Sequence, residues 1–176
     1  MGIAASQGRR DRASTMWTRP LQVLTSACAI VFTTGTILWG LIMATTNAVE
    51  RSMRLSGMSA AEAADAASGS FAIVGLVSGV VYIIGNALGI LALKGWNWVF
   101  WVAVVINLTQ GLGAALGMVP PAVFHVVADE YGFVGTLPSR ITDWGGLVLA
   151  IILIASFAIF RTPWARRRPQ PPGPTV

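Results

Sequence analysis

Apolar residues fall into four long blocks along this chain, separated by short polar stretches. None of the four contains Asp, Glu, Lys, Arg or His, and they cover residues 21–46, 70–93, 98–119 and 144–160. A helix rises about 1.5 Å per residue, so about 20 residues cross a hydrocarbon layer roughly 30 Å thick. The first three blocks reach this length and the fourth approaches it. The pattern predicts an all-α integral membrane protein with four transmembrane helices.

The connections after the first and third blocks each predict a short helix on the outer membrane surface. In the first connection, Ser59 and Glu62 have the spacing of a capping box, in which two side chains satisfy the free N–H groups at a helix start. In the second, Pro120 and Pro121 favour a helix start, and Gly132 favours its end. These helices would lie flat on the bilayer or pack over the transmembrane bundle.

The charges indicate how the four spans are oriented. Most basic residues fall on one side of the predicted membrane, at both chain ends and in the turn between blocks two and three: Arg9, Arg10, Arg12, Arg19, Lys94, Arg161, Arg166, Arg167 and Arg168. Only Arg51, Arg54 and Arg140 fall on the other side, with six of the seven acidic residues. Because positively charged loops stay in the cytoplasm, we expect a plasma-membrane protein with both termini cytoplasmic.

This topology divides the chain into three parts. Residues 1–20 form a basic cytoplasmic segment, residues 21–160 the transmembrane domain, and residues 161–176 a Pro- and Arg-rich cytoplasmic tail that we expect to be extended or disordered. The net charge of +5 is then explained by topology and by contact with anionic lipid headgroups. We therefore expect the lipid bilayer, and not nucleic acid, as the partner of the basic residues.

The second and third blocks carry small and polar residues in mirrored order about the turn at residues 94–97. The residue numbers of each pair add up to nearly the same value, as in two antiparallel helices, and the pairs are Gly75 with Gly117, Gly79 with Gly113, Tyr82 with Gln110, and Asn86 with Asn107. In a membrane, small residues let helices approach closely and amides bond between helices. We expect these residues to pack spans two and three together with span one, leaving span four more exposed to lipid. The alternative is a polar site facing a cavity or a second chain.

The residue types present restrict the possible chemistry. With one His and one Cys, the chain lacks the usual ligand sets for a metal or for haem, and it cannot form an internal disulfide. It also has no phosphate-binding loop. The predicted spans contain no ionisable residue, which disfavours proton- or ion-coupled transport. We expect no cofactor, no metal and no catalytic centre.

One group of polar residues on the outer side could still support catalysis. His125, Asp129, Arg140 and Asp143 could act as acid and base on a lipid headgroup. We favour a structural interpretation, in which Asp143 is the N-cap of the fourth span, Arg140 pairs with it, and His125 faces water.

Two functional classes remain. The first is a non-catalytic accessory, regulatory or assembly subunit that acts through helix packing, as a homo-oligomer or within a larger membrane complex. The second is an oligomeric transporter or channel for a neutral small solute. The absence of charges from the spans favours the first class, whereas Asn86, Asn107 and Gln110 keep the second open.

Overall fold

The structure, a computed structural model, describes residues 14–166, and this part of the chain is helical without any strand. Arg9, Arg10 and Arg12 and the tail from residue 167 onward lie outside the described residues. The α-helices are, in chain order, α1 (Thr18–Thr46), α2 (Ala48–Leu55), α3 (Ala60–Ser68), α4 (Ser70–Leu88), α5 (Asn97–Ala115) and α6 (Pro121–Phe160). A 3-10 helix, Gly89–Lys94, extends α4, and a second, Pro163–Ala165, follows α6.

Four helical stretches of the described residues are long and apolar enough to cross a membrane: α1, the stretch Ala60–Lys94 that contains α4 and its 3-10 extension, α5 and α6. The expectation of an all-helical chain with four such helices is therefore confirmed. The number of long helices follows from the length of each apolar block and from the absence of charge within it.

The first outer connection forms two short helices, α2 and α3, where the sequence predicted one. The capping box opens α3 as predicted, because the Ser59 side chain accepts a hydrogen bond from the Glu62 amide and the Glu62 carboxylate accepts one from the Ser59 amide. The Ser59 hydroxyl also donates to the Glu62 carboxylate at 2.7 Å, and this bond, together with the one from the Ser59 amide, lowers the pKa of Glu62. The unpredicted α2 is joined to α6 by an ion pair of 2.8 Å between Arg51 and Glu130.

Helix α6 is bent at Gly132, where the backbone leaves the helical region with φ 66° and ψ −167°. We call residues 121–131 α6a and residues 133–160 α6b. The sequence predicted the break at Gly132 but placed the start of the fourth span near residue 144. Instead, the helix resumes directly after Gly132, so Asp143 lies inside α6b and is not an N-cap. Its carboxylate accepts a bond from the Ser139 hydroxyl one turn earlier, at 2.7 Å, rather than capping a helix end.

The packing order also differs from the prediction. Helix α6 makes extensive contacts with both α1 and α5, so the expectation of a tight core of spans one to three with an exposed fourth span is wrong. The reason lies in small residues at the helix contacts. A Cβ atom on Gly35 of α1 would lie 2.6 Å from Thr142, and one on Gly111 of α5 would lie 2.9 Å from the Asp143 carbonyl oxygen. Glycine at these positions lets the backbones of α1 and α5 approach α6b closely.

Two apolar clusters form the core. The outer cluster packs α2 against α6a and contains Ala48, Val123, Val126 and Val127. The inner cluster lies between α1, α5 and α6b, and the segment after α6 covers it at the inner end. It includes Leu21, Phe32, Val99, Phe100, Ala103, Leu149, Leu153 and Trp164.

The chain after α6 folds back onto the bundle. Trp164 is fully buried, its indole N–H donates to the Trp96 carbonyl oxygen at 3.0 Å, and its ring meets Phe100 edge-on at 5.2 Å. Arg166 donates to the Gly95 carbonyl oxygen at 2.9 Å. The expectation of an extended or disordered tail is therefore wrong for residues 163–166, because a large aromatic side chain and its N–H group both find partners there.

The bend at Gly132 generates the first prediction. A Cβ at residue 132 meets no atom within 4 Å, so Gly132→Ala introduces backbone strain without a steric clash. We expect a loss of about 1–3 kcal/mol in the free energy of unfolding, since only glycine adopts this φ and ψ readily. The measurement is denaturation of the detergent-solubilised protein, followed by labelling of Cys28, which is half-buried in the fold.

Gly40→Ala is the matched control, because Gly40 is helical and also faces open space. It should leave stability unchanged or raise it slightly. Equal stability of the two variants would show that the bend at Gly132 is not required by the fold.

Candidate functional site

A layer of polar side chains separates the inner and outer apolar clusters. Along α6 the residues of the outer cluster come first, this layer follows, and the residues of the inner cluster come last. We call it the polar layer, and it consists of Asn86 from α4, Asn107 and Gln110 from α5, and Ser139, Thr142 and Asp143 from α6b. All but Asp143 are buried, and Asp143 is partly buried.

Hydrogen bonds and close approach connect the polar layer across three helices. The Asn86 amide nitrogen donates to the Gln110 oxygen at 3.1 Å, which joins α4 to α5. The Gln110 side chain also lies near the Asp143 carboxylate of α6b, without a hydrogen bond between them. Ser139 and Thr142 approach the same carboxylate at 2.7 and 3.4 Å. Gln110 therefore lies between Asn86, which it bonds, and Asp143, which it approaches.

The depth of the polar layer follows from helix geometry. Asp143 lies about 25 Å along α6 from its end at Phe160, and Gln110 lies about 20 Å along α5 from its start at Asn97. In a hydrocarbon layer of roughly 30 Å, Asp143 would lie within the outer third and Gln110 at its inner border. The sequence predicted a fourth span of residues 144–160 without an ionisable residue. Because α6b begins at residue 133, Asp143 would lie inside this span.

The polar layer contains more acceptors than donors. The Oδ1 atoms of Asn86 and Asn107 are buried and have no hydrogen-bond partner in the described part of the chain. The Asn107 nitrogen donates to the Ala103 carbonyl oxygen at 2.8 Å, and its Oδ1 lies 3.1 Å from where a Cβ on Gly146 would be. The Asn107 oxygen therefore points at α6b beside Gly146, three residues after Asp143. Each buried acceptor without a partner costs about 1–3 kcal/mol.

The expected pairing of Arg140 with Asp143 is not formed. Within residues 14–166 the ion pairs are Arg51 with Glu130 and Arg54 with Glu50. Arg140 instead donates from Nε to the Thr136 hydroxyl at 3.2 Å and places its guanidinium over the rings of Phe124 and Phe133. Asp143 is thus approached by hydroxyl and amide groups alone.

The four outer residues predicted as a possible catalytic group do not form one site. His125 and Asp129 are exposed on α6a, before the bend at Gly132, whereas Arg140 and Asp143 lie on α6b. Asp129 borders a shallow surface pocket of about 300 Å³ together with Arg51 and Arg54. Asp143 is turned inward toward Gln110, so it belongs to the polar layer.

The mirrored pairs of α4 and α5 meet only at the inner end of the two helices. Gly85 packs against Ile106, and Asn86 bonds Gln110 rather than Asn107. Tyr82 is half-buried one turn further out. The inner end of α4 instead follows α1, where the Ser26 hydroxyl donates to the Ile90 carbonyl oxygen at 3.1 Å.

The glycine pairs of the mirrored pattern are not in contact. A Cβ placed on Gly75, Gly79 or Gly117 meets no atom within 4 Å, and one on Gly113 meets only Met118. Gly117 lies beyond the end of α5 with φ 71°, in the turn that leads to α6. The outer half of α4 therefore leaves α5, and its glycines face open space.

Comparison with protein families, with curated proteins and with solved structures finds no match to this chain. The proposals below consequently depend on the geometry of the polar layer and of α4.

The central place of Gln110 generates the second prediction. Gln110→Leu removes the partner of Asn86 and a polar neighbour of Asp143, so we expect it to lower the free energy of unfolding by about 1–3 kcal/mol. Asn86→Leu removes one interhelical bond and an oxygen that has no partner, so its cost should be smaller, near the average of about 0.6 kcal/mol for such bonds.

Unfolding of the two variants is compared by Cys28 labelling, with Thr109→Leu as the control. Thr109 is exposed on α5 and bonds only to carbonyl oxygens of its own helix, so its replacement should have little effect. A larger loss for Asn86→Leu than for Gln110→Leu would contradict the assignment of Gln110 as the centre of the network.

Proposed function

We propose that the chain is a plasma-membrane protein that crosses the bilayer four times with both termini in the cytoplasm. The described ends of the chain support this topology. Thr15 donates to the Ala165 carbonyl oxygen at 2.6 Å, and Arg166 contacts the turn at Gly95, so both ends of the described part of the chain and the turn beside Lys94 meet at one end of the bundle. This end carries Arg19, Lys94, Arg161 and Arg166, as the positive-inside rule expects of the cytoplasmic side.

Within the membrane, we propose that the protein acts without catalysis as an assembly or accessory subunit. The surface that supports this role is the outer half of α4, residues 71–80. Its large apolar side chains are exposed on all sides of the helix, including Phe71 (60 % exposed), Ile73 (64 %), Leu76 (70 %) and Val80 (45 %). No other helix of the described chain covers this segment.

The glycines of α4 distinguish a protein-binding surface from a surface that only faces lipid. Elsewhere, glycines pack closely against another helix, as Gly35, Gly85, Gly89, Gly111 and Gly146 do. Gly75 and Gly79 have the same four-residue spacing as a helix-packing pair but contact nothing. Close backbone approach drives helix association in membranes, so these two glycines are the observation that carries the proposal. They offer a binding surface to a transmembrane helix of a partner subunit or of a second copy.

The third prediction tests this surface. The tagged full-length protein is purified from its native membrane in a mild detergent, and its stoichiometry is measured by native mass spectrometry. We expect a stable complex with a second copy or with another membrane protein. Replacing Gly75 and Gly79 together by Leu should dissociate it, since the added side chains hold the helices apart.

Gly40→Leu is the matched control, because Gly40 lies on α1 and also faces open space. It adds the same side chain at another exposed glycine and should leave the complex intact. A monomer in the unaltered protein, or a complex that survives the Gly75 and Gly79 replacements, would argue against an assembly role for α4.

A second candidate function is an oligomeric path for a neutral small solute. The two Asn oxygens without a partner favour it, because they could accept bonds from a passing solute. Replacing Asn86 and Asn107 together by Leu separates the two functions. If the two residues line a path, the variant should fold in normal yield but lose solute flux in proteoliposomes. If they pack helices together, the folded yield of the variant should fall, and the unaltered protein should show no solute flux.

A further inference from the structure

The Asp143 carboxylate has no balancing positive charge in the residues that surround it. From α5 it faces Gln110 and the backbone at Gly111, and from α4 the network brings in only Asn86. The nearest α1 contact is Gly35 against Thr142. On α6b the closest charged residue is Arg140, one turn outward, and it is bonded to Thr136. An ionised group at this depth of a membrane is normally paired or neutralised.

The Thr142 hydroxyl beside the Asp143 carboxylate adds to the shortage of hydrogen-bond donors. Asp143 Oδ2 accepts a good hydrogen bond from Ser139, but Oδ1 lies 3.4 Å from the Thr142 hydroxyl oxygen. Thr142 has a single O–H, and this donates to the Ser139 carbonyl oxygen at 2.9 Å. This shorter bond competes with the longer one of 3.4 Å that Thr142 can donate to Asp143 Oδ1, so while it is made Asp143 Oδ1 and Thr142 Oγ1 face each other as two acceptors. Nearby, Asn107 Oδ1 is a third acceptor without a donor, in a side chain only 3 % exposed.

We propose that the polar layer binds one Na⁺ ion, with Asp143 Oδ1, Thr142 Oγ1 and Asn107 Oδ1 as candidate ligands. All three are hard oxygen atoms, the ligand type that suits small s-block cations. Two oxygens that bind one ion at about 2.3–2.6 Å and at right angles lie roughly 3.3–3.7 Å apart, and the distance between Asp143 Oδ1 and Thr142 Oγ1 falls in this range.

The charge of the polar layer selects a monovalent ion. It contains one carboxylate, so one Na⁺ makes it neutral, whereas Ca²⁺ or Mg²⁺ would leave an uncompensated positive charge in an apolar surrounding. A proton on Asp143 would also neutralise the carboxylate, but as one donor it would serve a single acceptor, whereas one Na⁺ would bind all three oxygens. Because Asp143 would lie in the outer third of the predicted membrane, the ion would enter from the outer side.

The fourth prediction is a stabilisation specific for Na⁺. The full-length protein in detergent is heated in NaCl, KCl or choline chloride at equal ionic strength and fixed pH, and unfolding is followed by Cys28 labelling. We expect a melting temperature several degrees higher in NaCl than in choline chloride, with saturation as the concentration rises, because an ion bound only to the folded state stabilises it. Asp143→Asn should abolish the shift, and Thr142→Val should move its midpoint to higher NaCl concentration.

Asp129→Asn is the matched control, because it removes an exposed carboxylate of the outer side and should keep the full shift. Direct binding of ²²Na⁺ to the purified unaltered protein and to Asp143→Asn gives a second measurement, which holds even if a variant melts poorly. Saturable binding that is lost in Asp143→Asn supports the proposal.

Several results would overturn the Na⁺ site. The melting temperature could be the same in all three salts, or its rise in NaCl could persist in Asp143→Asn. It could also rise in CaCl₂ but not in NaCl, or change with pH alone, which would identify a proton as the occupant. The site is independent of the α4 surface, so the variant with Leu at residues 75 and 79 should keep the Na⁺ response.

Discussion

The bond network around Gln110 is the constraint on which the rest of the bundle depends. In an apolar surrounding, an amide that loses its partner has no water to replace it, so its hydrogen bonds define the relative position of the helices that carry them. Gln110 bonds Asn86 on one side and lies near Asp143 on the other. Between α5 and α6b, Gly111 and Gly146 lie against the facing backbones. The polar bonds thus determine the register, and the glycines allow the close approach that this register requires.

The same network explains why α6b, and not α4, lies in the centre of the bundle. Helix α6b presents Ser139, Thr142 and Gly146 inward, and these small or hydroxyl-bearing side chains accommodate α1 and α5. Helix α4 is attached at its inner end, through Asn86 and through the contact of Gly89 with Ala29 of α1. Beyond Asn86 it has few partners, so its outer half diverges from α5.

Local features of the fold could be predicted from the sequence, and relations between distant segments could not. The length of the apolar blocks and their lack of charge predicted four membrane-length helices, and the spacing of Ser59 and Glu62 predicted the capping box. The mirrored glycines suggested full-length contact between α4 and α5, but pairing from sequence assumes that two helices stay parallel. The attachment of α4 to α1 breaks this assumption.

Asp143 was misplaced for a related reason. An apolar block is bounded by charged residues, so the predicted fourth block began at residue 144, directly after Asp143. The available signal was the spacing of Ser139 and Asp143, which are four residues apart and can bond along one helix face. A carboxylate that is solvated by its own helix, with Gln110 nearby, need not lie at a helix end. Its position within α6b turns a supposed cap into the one charged member of the polar layer, and a charge at this depth is normally paired or neutralised. We therefore expect the chemistry of this chain in the polar layer, where oxygen acceptors outnumber hydrogen-bond donors.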